Sequence, residues 1–320
     1  MSKRYNQWSG YFNDGLQFPP QAIWQKSGFH IYECDDGAVA YAQAKNGVVV
    51  AGDPLFFSDD LSLRHRLIQN FLQQFSSKGL VCGYYFSEQT AKLFLGYRTY
   101  YAGVSSFLNL DGWTSAGYAS RDYRRAMNRA ESSNLRFVEV HDKTEVLAEV
   151  QSFESNWLKT KRLPRIRFML TPPKIDYPQS DQERWFLVRK DDRLEAFLSI
   201  HPYGQRRWYL DHLVQGAKAD RFAADYGVAK IIEKLVHEKQ GLLCFGFNAF
   251  WGATPSSLLE FGFWLNQRFD VLYASKGLRH FKNKFSDHEL KRYLVMDPKA
   301  SFVKQVADIM QVTFATQGGK

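Results

Sequence analysis

The sequence predicts an α/β protein of α+β character, with a mixed sheet built twice along 320 residues. Three observations predict it. Short runs rich in β-branched and aromatic residues come first, followed by a stretch with helical apolar spacing and then further alternating runs. The same order begins again in the second half, offset by about half the chain. Hydrophobic residues make up 45% of the chain and aromatic residues 16%, enough to fill two cores of ordinary domain size.

Taken in order, Phe29–Glu33, Ala38–Ala42 and Val48–Ala51 read as strands, with a turn at Gly52-Asp53-Pro54. Leu61, Leu67, Ile68, Phe71, Leu72 and Phe75 recur at helical spacing, with Ser58 as N-cap and Gly79 as stop. Leu80–Phe86 reads as a strand, Ser87–Leu95 as a helix and Tyr100–Leu110 as a strand. Ser120–Asn134 and Thr144–Lys159 are expected helices around the strand Leu135–Val140. Then the order repeats. Arg184–Arg189, Leu194–His201 and Arg207–Val214 are strands, the first two a hairpin through the charged turn Lys190–Arg193. Phe222, Val228, Ile231, Ile232, Leu235 and Val236 mark a helix, followed by the strand Leu242–Phe247, a short helix Pro255–Phe261 and the strand Phe269–Ala274. Lys299–Met310 closes the chain as a helix. Three antiparallel strands, a helix, a strand, a helix and a strand resemble the GNAT acyltransferase fold. Two tandem GNAT-like domains, 1–142 and 143–320, account for the whole chain, with the proposed site in the second.

The net charge is +9 and the pI near 9.3, which favours an anionic partner such as RNA, a lipid headgroup or a phosphorylated small molecule. Cys34, Cys82 and Cys244 lie far apart among apolar neighbours and have no CxxC spacing, so reduced buried thiols are expected, as in a cytosolic protein. The polar N-terminus lacks the apolar core of a signal peptide, and the uncharged run Gly241–Leu259 is broken by Asn248, Pro255 and glycines. The expectation is a soluble, cytoplasmic protein without a transmembrane segment, able to touch the inner membrane face peripherally.

Motifs for a protein nucleophile are missing: no GxSxG, Walker A, HExxH or GxGxxG occurs, and the eight histidines show no metal-ligand spacing. No metal and no cofactor is expected. A transferase acting on an activated acyl donor fits this absence, because it needs positioning and oxyanion stabilisation rather than a nucleophilic side chain. The turn Arg221–Gly227 stands where GNAT acetyltransferases carry a glycine-rich phosphate loop, yet it lacks those glycines and carries Asp225. That counts against coenzyme A as donor.

Late in the chain, Gly277–Phe285 sets Arg279, His280, Lys282 and Lys284 between Leu278, Phe281 and Phe285, with Arg292-Tyr293-Leu294 following. Apolar anchors of this kind can aim cations at an anion. This segment resembles the closing motif of the catalytic domain of bacterial phosphatidylglycerol lysyltransferases. Further points of resemblance run in order: Gly52-Asp53-Pro54, then Arg121, Arg125, Ala126 and Arg129 on one helix, Trp157, Ala196-Phe197, Tyr209-Leu210-Asp211 and Asn248. The chain departs from the family at Val214, which replaces the Arg of its Asp-x-x-Arg motif, and at Asp287 and Glu289, which replace a Pro and a Trp. The membrane domain that precedes the catalytic domain in the lipid-modifying enzymes is not present in this sequence, so a soluble or different acceptor is conceivable.

The resemblance implies transfer of an aminoacyl group from aminoacyl-tRNA to a phosphatidylglycerol-like lipid or another small hydroxyl or amine acceptor. It implies Asp211 and Lys284 as catalytic residues and Asn248, Lys282, Arg279 and Arg292 as substrate-binding residues. Asp211 stands between leucines on a central strand, and burying it unpaired would be costly. Its partner is either the donor's ammonium or a nearby Arg such as Arg206 or Arg207. Arg121, Arg124, Arg125 and Arg129 share overlapping helix faces, and Lys161 and Arg162 crowd the loop before Pro164. They form either a track for tRNA phosphates or anionic lipid, or simply a solvated basic surface. Phe250, Trp251 and Trp264 line either a pocket or the core. Two other functions stay open: an acyl-coenzyme A N-acyltransferase, and a non-catalytic protein binding RNA or an anionic membrane surface.

Overall fold

The computed structural model describes Trp24, Lys26 and residues 29–117, 120–161, 172–177, 180–249 and 280–314. Strands β1 (His30–Cys34), β2 (Gly37–Gln43) and β3 (Gly47–Ala51) form an antiparallel meander, and the two-residue β4 (Leu55–Phe56) adds to β2. Helix α1 (Leu61–Phe75) follows. Its N-cap is Asp60, whose carboxylate accepts from the Ser62 N–H, and not Ser58. The periodic residues Leu67, Ile68, Phe71, Leu72 and Phe75 are its buried stripe. Strand β5 (Leu80–Phe86) then runs parallel to β3. Ser87 caps α2 (Glu88–Leu93), and β6 (Arg98–Asn109) closes the first set.

Helix α3 (Arg121–Ser132), β7 (Leu135–Val140) and α4 (Lys143–Lys159) form the bridge between sets. The second set matches the first: β8 (Arg184–Lys190), β9 (Arg193–Pro202) and β10 (Arg207–Gln215) are antiparallel, α5 (Ala223–His237) crosses over, and β11 (Leu242–Ala249) is parallel to β10. The expected helix Pro255–Phe261 and strand Phe269–Ala274 lie outside the described residues, as do Phe250, Trp251 and Trp264. The chain ends with β12 (His288–Met296) and α6 (Phe302–Phe314). Sequence periodicity missed β12, because Glu289, Lys291 and Arg292 interrupt its apolar residues.

All the described strands join one mixed sheet in the order β1-β2-β3-β5-β12-β6-β11-β10-β9-β8-β7, with β4 beside β2. The halves are therefore two sheets of the same strand order that exchange a strand. β12, from the second half, lies between β5 and β6, and β6, from the first half, lies between β12 and β11. The antiparallel β6–β12 pair, from His288 opposite Phe107 to Met296 opposite Arg98, is the axis relating the halves. Both crossover-fed strands bulge next to it. In β5 the ladder skips Tyr85, held at φ 76°, and in β11 it skips Phe245 before Gly246 at φ 79°.

The two faces of the second half-sheet carry different cores. Leu198, Ile200, Leu210, Leu243 and Phe245 pack under α3 and α5 with Phe285. On the other face, Trp185, Leu187, Phe197 and Val214 pack with α4, and Tyr203, Tyr209 and Cys244 join the core that includes Tyr85 and Met296.

The exchanged strands make each half depend on the other. Fragments 1–142 and 143–320, produced separately, should each show no cooperative thermal transition, whereas mixing them during refolding should restore one. A cooperative transition in either fragment alone would contradict this topology.

Candidate active site

Asp211 sits in a β-bulge of β10, where the register jumps between Leu210 and His212. The bulge turns Asp211 and His212 onto the same face as Tyr209 and Val214, away from α5. There Asp211 is 5% exposed and its side chain lies among other buried ionic groups. Its Oδ2 is 3.0 Å from Lys26 Nζ, 3.2 Å from His201 Nε2 and 3.2 Å from His212 Nδ1. Glu183 Oε1 stands 3.0 Å from the same Lys26 ammonium and 3.2 Å from the same His201 nitrogen. Tyr177 donates its hydroxyl to Glu183 Oε2 at 2.6 Å, and Ser199 Oγ is 2.8 Å from His212 Nδ1.

Burial alone would raise the pKa of both carboxyls, but the cations win. Lys26 and His212 hold Asp211 well below its ordinary range, and His201 and Lys26 do the same for Glu183. Burial lowers Lys26 and His201, yet the carboxylates push both upward in net. Two buried polar atoms of the cluster, Asp211 Oδ1 and His201 Nδ1, have no hydrogen-bond partner among the described residues, nor does the buried hydroxyl of Tyr203. Glu183, Asp211 and His212 bring three potential metal ligands within 4.8 Å of one another. The Lys26 ammonium already stands between the two carboxylates, and a divalent cation would have to displace it.

A second buried network lies toward the β6–β12 axis. Arg292, 1% exposed, donates from Nε to Ser105 Oγ at 2.9 Å, has Nη1 3.5 Å from Asp53 Oδ2, and lies 5.0 Å from the centre of the Tyr85 ring. Asp53 in turn accepts from the Ser87 N–H at 2.8 Å. Asn248 Nδ2 donates to Ser106 Oγ at 2.7 Å, and Lys282 Nζ to the Phe247 carbonyl at 2.9 Å. Burial lowers the Lys282 pKa to about 8.

On the opposite face, beside α3 and the start of α5, an open cleft of about 260 Å³ is lined by Asp122, Arg125, Arg221, Asp225, His280 and Lys284. Lys284 is held there by Asp225, at 2.7 Å. Arg125, Arg129 and Arg221 gather around the Phe222 ring. Arg124 instead donates to the Ser115 and Gly117 carbonyls, Arg121 lies 3.9 Å from Asp122, and Lys161 stacks 4.6 Å from the Trp157 ring centre. Arg279 and Arg162 lie outside the described residues.

The structure thus divides the residues singled out in the sequence. Asp211 occupies one face, Lys284 and Arg125 the other, and Asn248, Lys282 and Arg292 stand near the central strands. Asp211 is paired, but with Lys26 and His201 and not with Arg206 or Arg207. Arg206 pairs with Asp111 at the surface. Sequence reasoning missed Lys26, Tyr177, Glu183, His201 and His212. Of these, His201 was within reach, since it keeps the parity of Phe197 and Ser199 on a strand buried on both faces. Lys26 carries no signal, because nothing periodic surrounds it.

The family profile described as "Phosphatidylglycerol lysyltransferase, C-terminal" matches residues 12–296. The chain belongs to this family. It is a transferase of the phosphatidylglycerol lysyltransferase type. Among solved structures, the C-terminal DUF2156 domain of a protein described as a lysylphosphatidylglycerol synthetase from Agrobacterium fabrum is 19% identical, with TM-score 0.82, covering 95% of each chain. L-PGS from Bacillus licheniformis is 19% identical, with TM-score 0.71, covering 94% of this chain and 99% of that one. FemX is 8% identical, with TM-score 0.58, covering 96% of this chain and 98% of that one. At these identities the likeness is one of fold. No curated protein matches the sequence. Among the described residues, no helix is long and apolar enough to cross a membrane.

Two outcomes follow from the charges of this family member. Asp211 and Glu183 have folded pKa values below their ordinary 3.8 and 4.5, so their contribution is present above those values and is lost as pH falls through the folded ones. The melting temperature should therefore drop steeply below about pH 4, and less steeply in Asp211→Asn. An equal acid slope in both proteins would contradict the pairing. Lys282 behaves oppositely. Its folded pKa of about 8 lies below the ordinary 10.5, so the unfolded chain binds more protons between those values and stability rises with pH across that window. Lys282→Met should raise the melting temperature at pH 7, and the gain should shrink toward pH 10.

Proposed function

We propose that this transferase moves an aminoacyl group from aminoacyl-tRNA to the hydroxyl of a phosphatidylglycerol-like lipid, or to another small hydroxyl or amine acceptor. The acceptor oxygen, or nitrogen for an amine, bonds to the acyl carbon, the ester bond to the tRNA 3′ oxygen breaks, and the acceptor's proton passes to that oxygen. The ester is already activated, so no nucleoside triphosphate enters the balance. The protein's task is to orient the two groups and to stabilise the oxyanion.

The observation that carries this reading is Asp211. One of its oxygens is saturated by Lys26, His201 and His212, while Oδ1 has no partner among the described residues in a fully buried setting. A buried carboxylate oxygen left open costs free energy unless a ligand or water donates to it. The amine of an aminoacyl group is such a donor. Membership of a phosphatidylglycerol lysyltransferase family supports the acceptor class. The net charge of +9 and the Arg125–Arg221–His280–Lys284 cleft support an anionic partner, either tRNA phosphate or a lipid headgroup at the membrane surface.

The test is single-turnover transfer of radiolabelled aminoacyl groups from a panel of aminoacyl-tRNAs, with vesicles containing phosphatidylglycerol as acceptor. Label should enter the lipid extract. In Asp211→Asn, transfer should fall about ten- to hundredfold, the worth of a charge-assisted hydrogen bond. Reversing the cleft charge with Arg125→Glu should weaken tRNA or vesicle binding and make the remaining binding less sensitive to salt. No transfer, together with a thermal shift on adding acetyl-coenzyme A, would replace this reading by acyl-coenzyme A chemistry.

A further inference from the structure

The Asp211–Glu183 pair is where a cationic group of the donor would be sought, and a cation is already there. Lys26 Nζ is 3.0 Å from Glu183 Oε1 and 3.0 Å from Asp211 Oδ2, and it lies 5.7 Å from the centre of the Tyr177 ring. Two of the three N–H donors of this ammonium go to the two carboxylates, and the Tyr177 ring lies within cation–π range. His201 Nε2 meets the same two oxygens at 3.2 Å each. Two carboxylate oxygens and two nitrogens therefore alternate around one small square, every contributing side chain at 0% exposure. The carboxylates favour the charged form of both Lys26 and His201, so the square is neutral as it stands.

A second ammonium placed here would leave a net positive charge out of water, which is heavily disfavoured. Stability does not by itself explain such an arrangement, since buried ion pairs contribute little net free energy compared with apolar packing. Val214 points the same way. It is 1% exposed, packs with Trp185, Leu187 and Phe197 on the face that carries Asp211, and offers no polar atom to a charged side chain.

We infer that Lys26 is a specificity-determining residue: it supplies, from within the chain, the ammonium taken by the Asp211–Glu183 pair, and so restricts the transferred group to aminoacyl groups with uncharged side chains. The inference rests on the aminoacyl-transfer reading above. An α-amine titrates near pH 8, about two units or more below a lysyl side chain, so it can enter neutral and donate to Asp211 Oδ1 without disturbing the balance. A lysyl or arginyl side chain brings its charge with it.

The test uses the full chain and Lys26→Ala, assayed with alanyl-, glycyl-, lysyl- and arginyl-tRNA at equal concentration. Melting temperatures are recorded in methylammonium chloride and, at matched ionic strength, in sodium chloride. Wild type should use alanyl- over lysyl-tRNA by about tenfold or more, and Lys26→Ala should narrow that ratio by about tenfold. The variant should also lose about 10 °C in melting temperature, as expected when one partner of a buried pair is removed. Methylammonium, but not sodium, should recover part of that loss, and wild type should not respond. A wild-type preference for lysyl-tRNA overturns the inference. So does a variant that loses stability but shows neither methylammonium recovery nor a changed donor ratio, because Lys26 would then be only a structural tie. Should Lys26→Ala fail to fold, the wild-type donor ratio decides alone. Absence of transfer from every aminoacyl-tRNA counts against the aminoacyl-transfer reading itself, and methylammonium recovery then still decides whether Lys26 fills an ammonium site.

Discussion

The antiparallel pairing of β6 with β12 is the constraint on which the rest of this structure depends. Each of these strands ends one repeat and lies beside the crossover strand of the other repeat. Two separate half-sheets would leave two inner edges to cover, one on each, whereas the exchange satisfies their backbone groups in one continuous ladder. It also brings residues distant in sequence onto neighbouring strands. Arg292 on β12 reaches Ser105 on β6 and Asp53 after β3, so a Gly-Asp-Pro turn near the start of the chain and a basic residue near its end share one buried network.

Bulges convert this regular frame into a site. At Asp211 the bulge puts a carboxylate on the face of β10 where Tyr209 and Val214 point, while Leu210 and Leu213 keep packing toward α5. A regular strand would have turned Asp211 toward one core and His212 toward the other. With both on one face, Glu183, His201 and Lys26 can close around the carboxylate, and the ionic groups share a single desolvated volume.

The two faces use charge differently. On the Asp211 face, cations and anions are paired out of water and their protonation states are set by one another. On the α5 face, Arg125, Arg221, His280 and Lys284 line an open cleft, with Asp122 and Asp225 as its acidic members among the described residues. A buried balanced cluster suits orienting a small group, because its dipoles are fixed in advance. An open basic cleft suits holding a phosphate, because its arginines and lysine stand at a surface that an anion can reach.

Much of the fold was legible in the sequence, because period-2 and period-3.6 patterns are local properties. Leu80–Phe86 and Leu135–Val140 were bounded to the residue, and the helix of Ile231, Ile232 and Leu235 was read from one apolar stripe. β12 escaped because Glu289 and Lys291 are exposed charges and Arg292 is a third, so its pattern reads polar although Arg292 is buried against Asp53 and Ser105. Asp211 was found as a costly acid on a central strand, yet its partner could not be named. Lys26 lies 185 positions away in sequence, and no local periodicity reports a contact of that separation. The sequence by itself determined which segments become strands and helices, the duplication of their order and the excess of positive charge, since propensity, spacing and composition act within short stretches of chain. Only the tertiary structure decided that the repeats exchange strands, that Lys284 and Asp211 stand on opposite faces, and that Lys26 stands between Asp211 and Glu183, because desolvation and ion pairing depend on which side chains meet once water has been excluded.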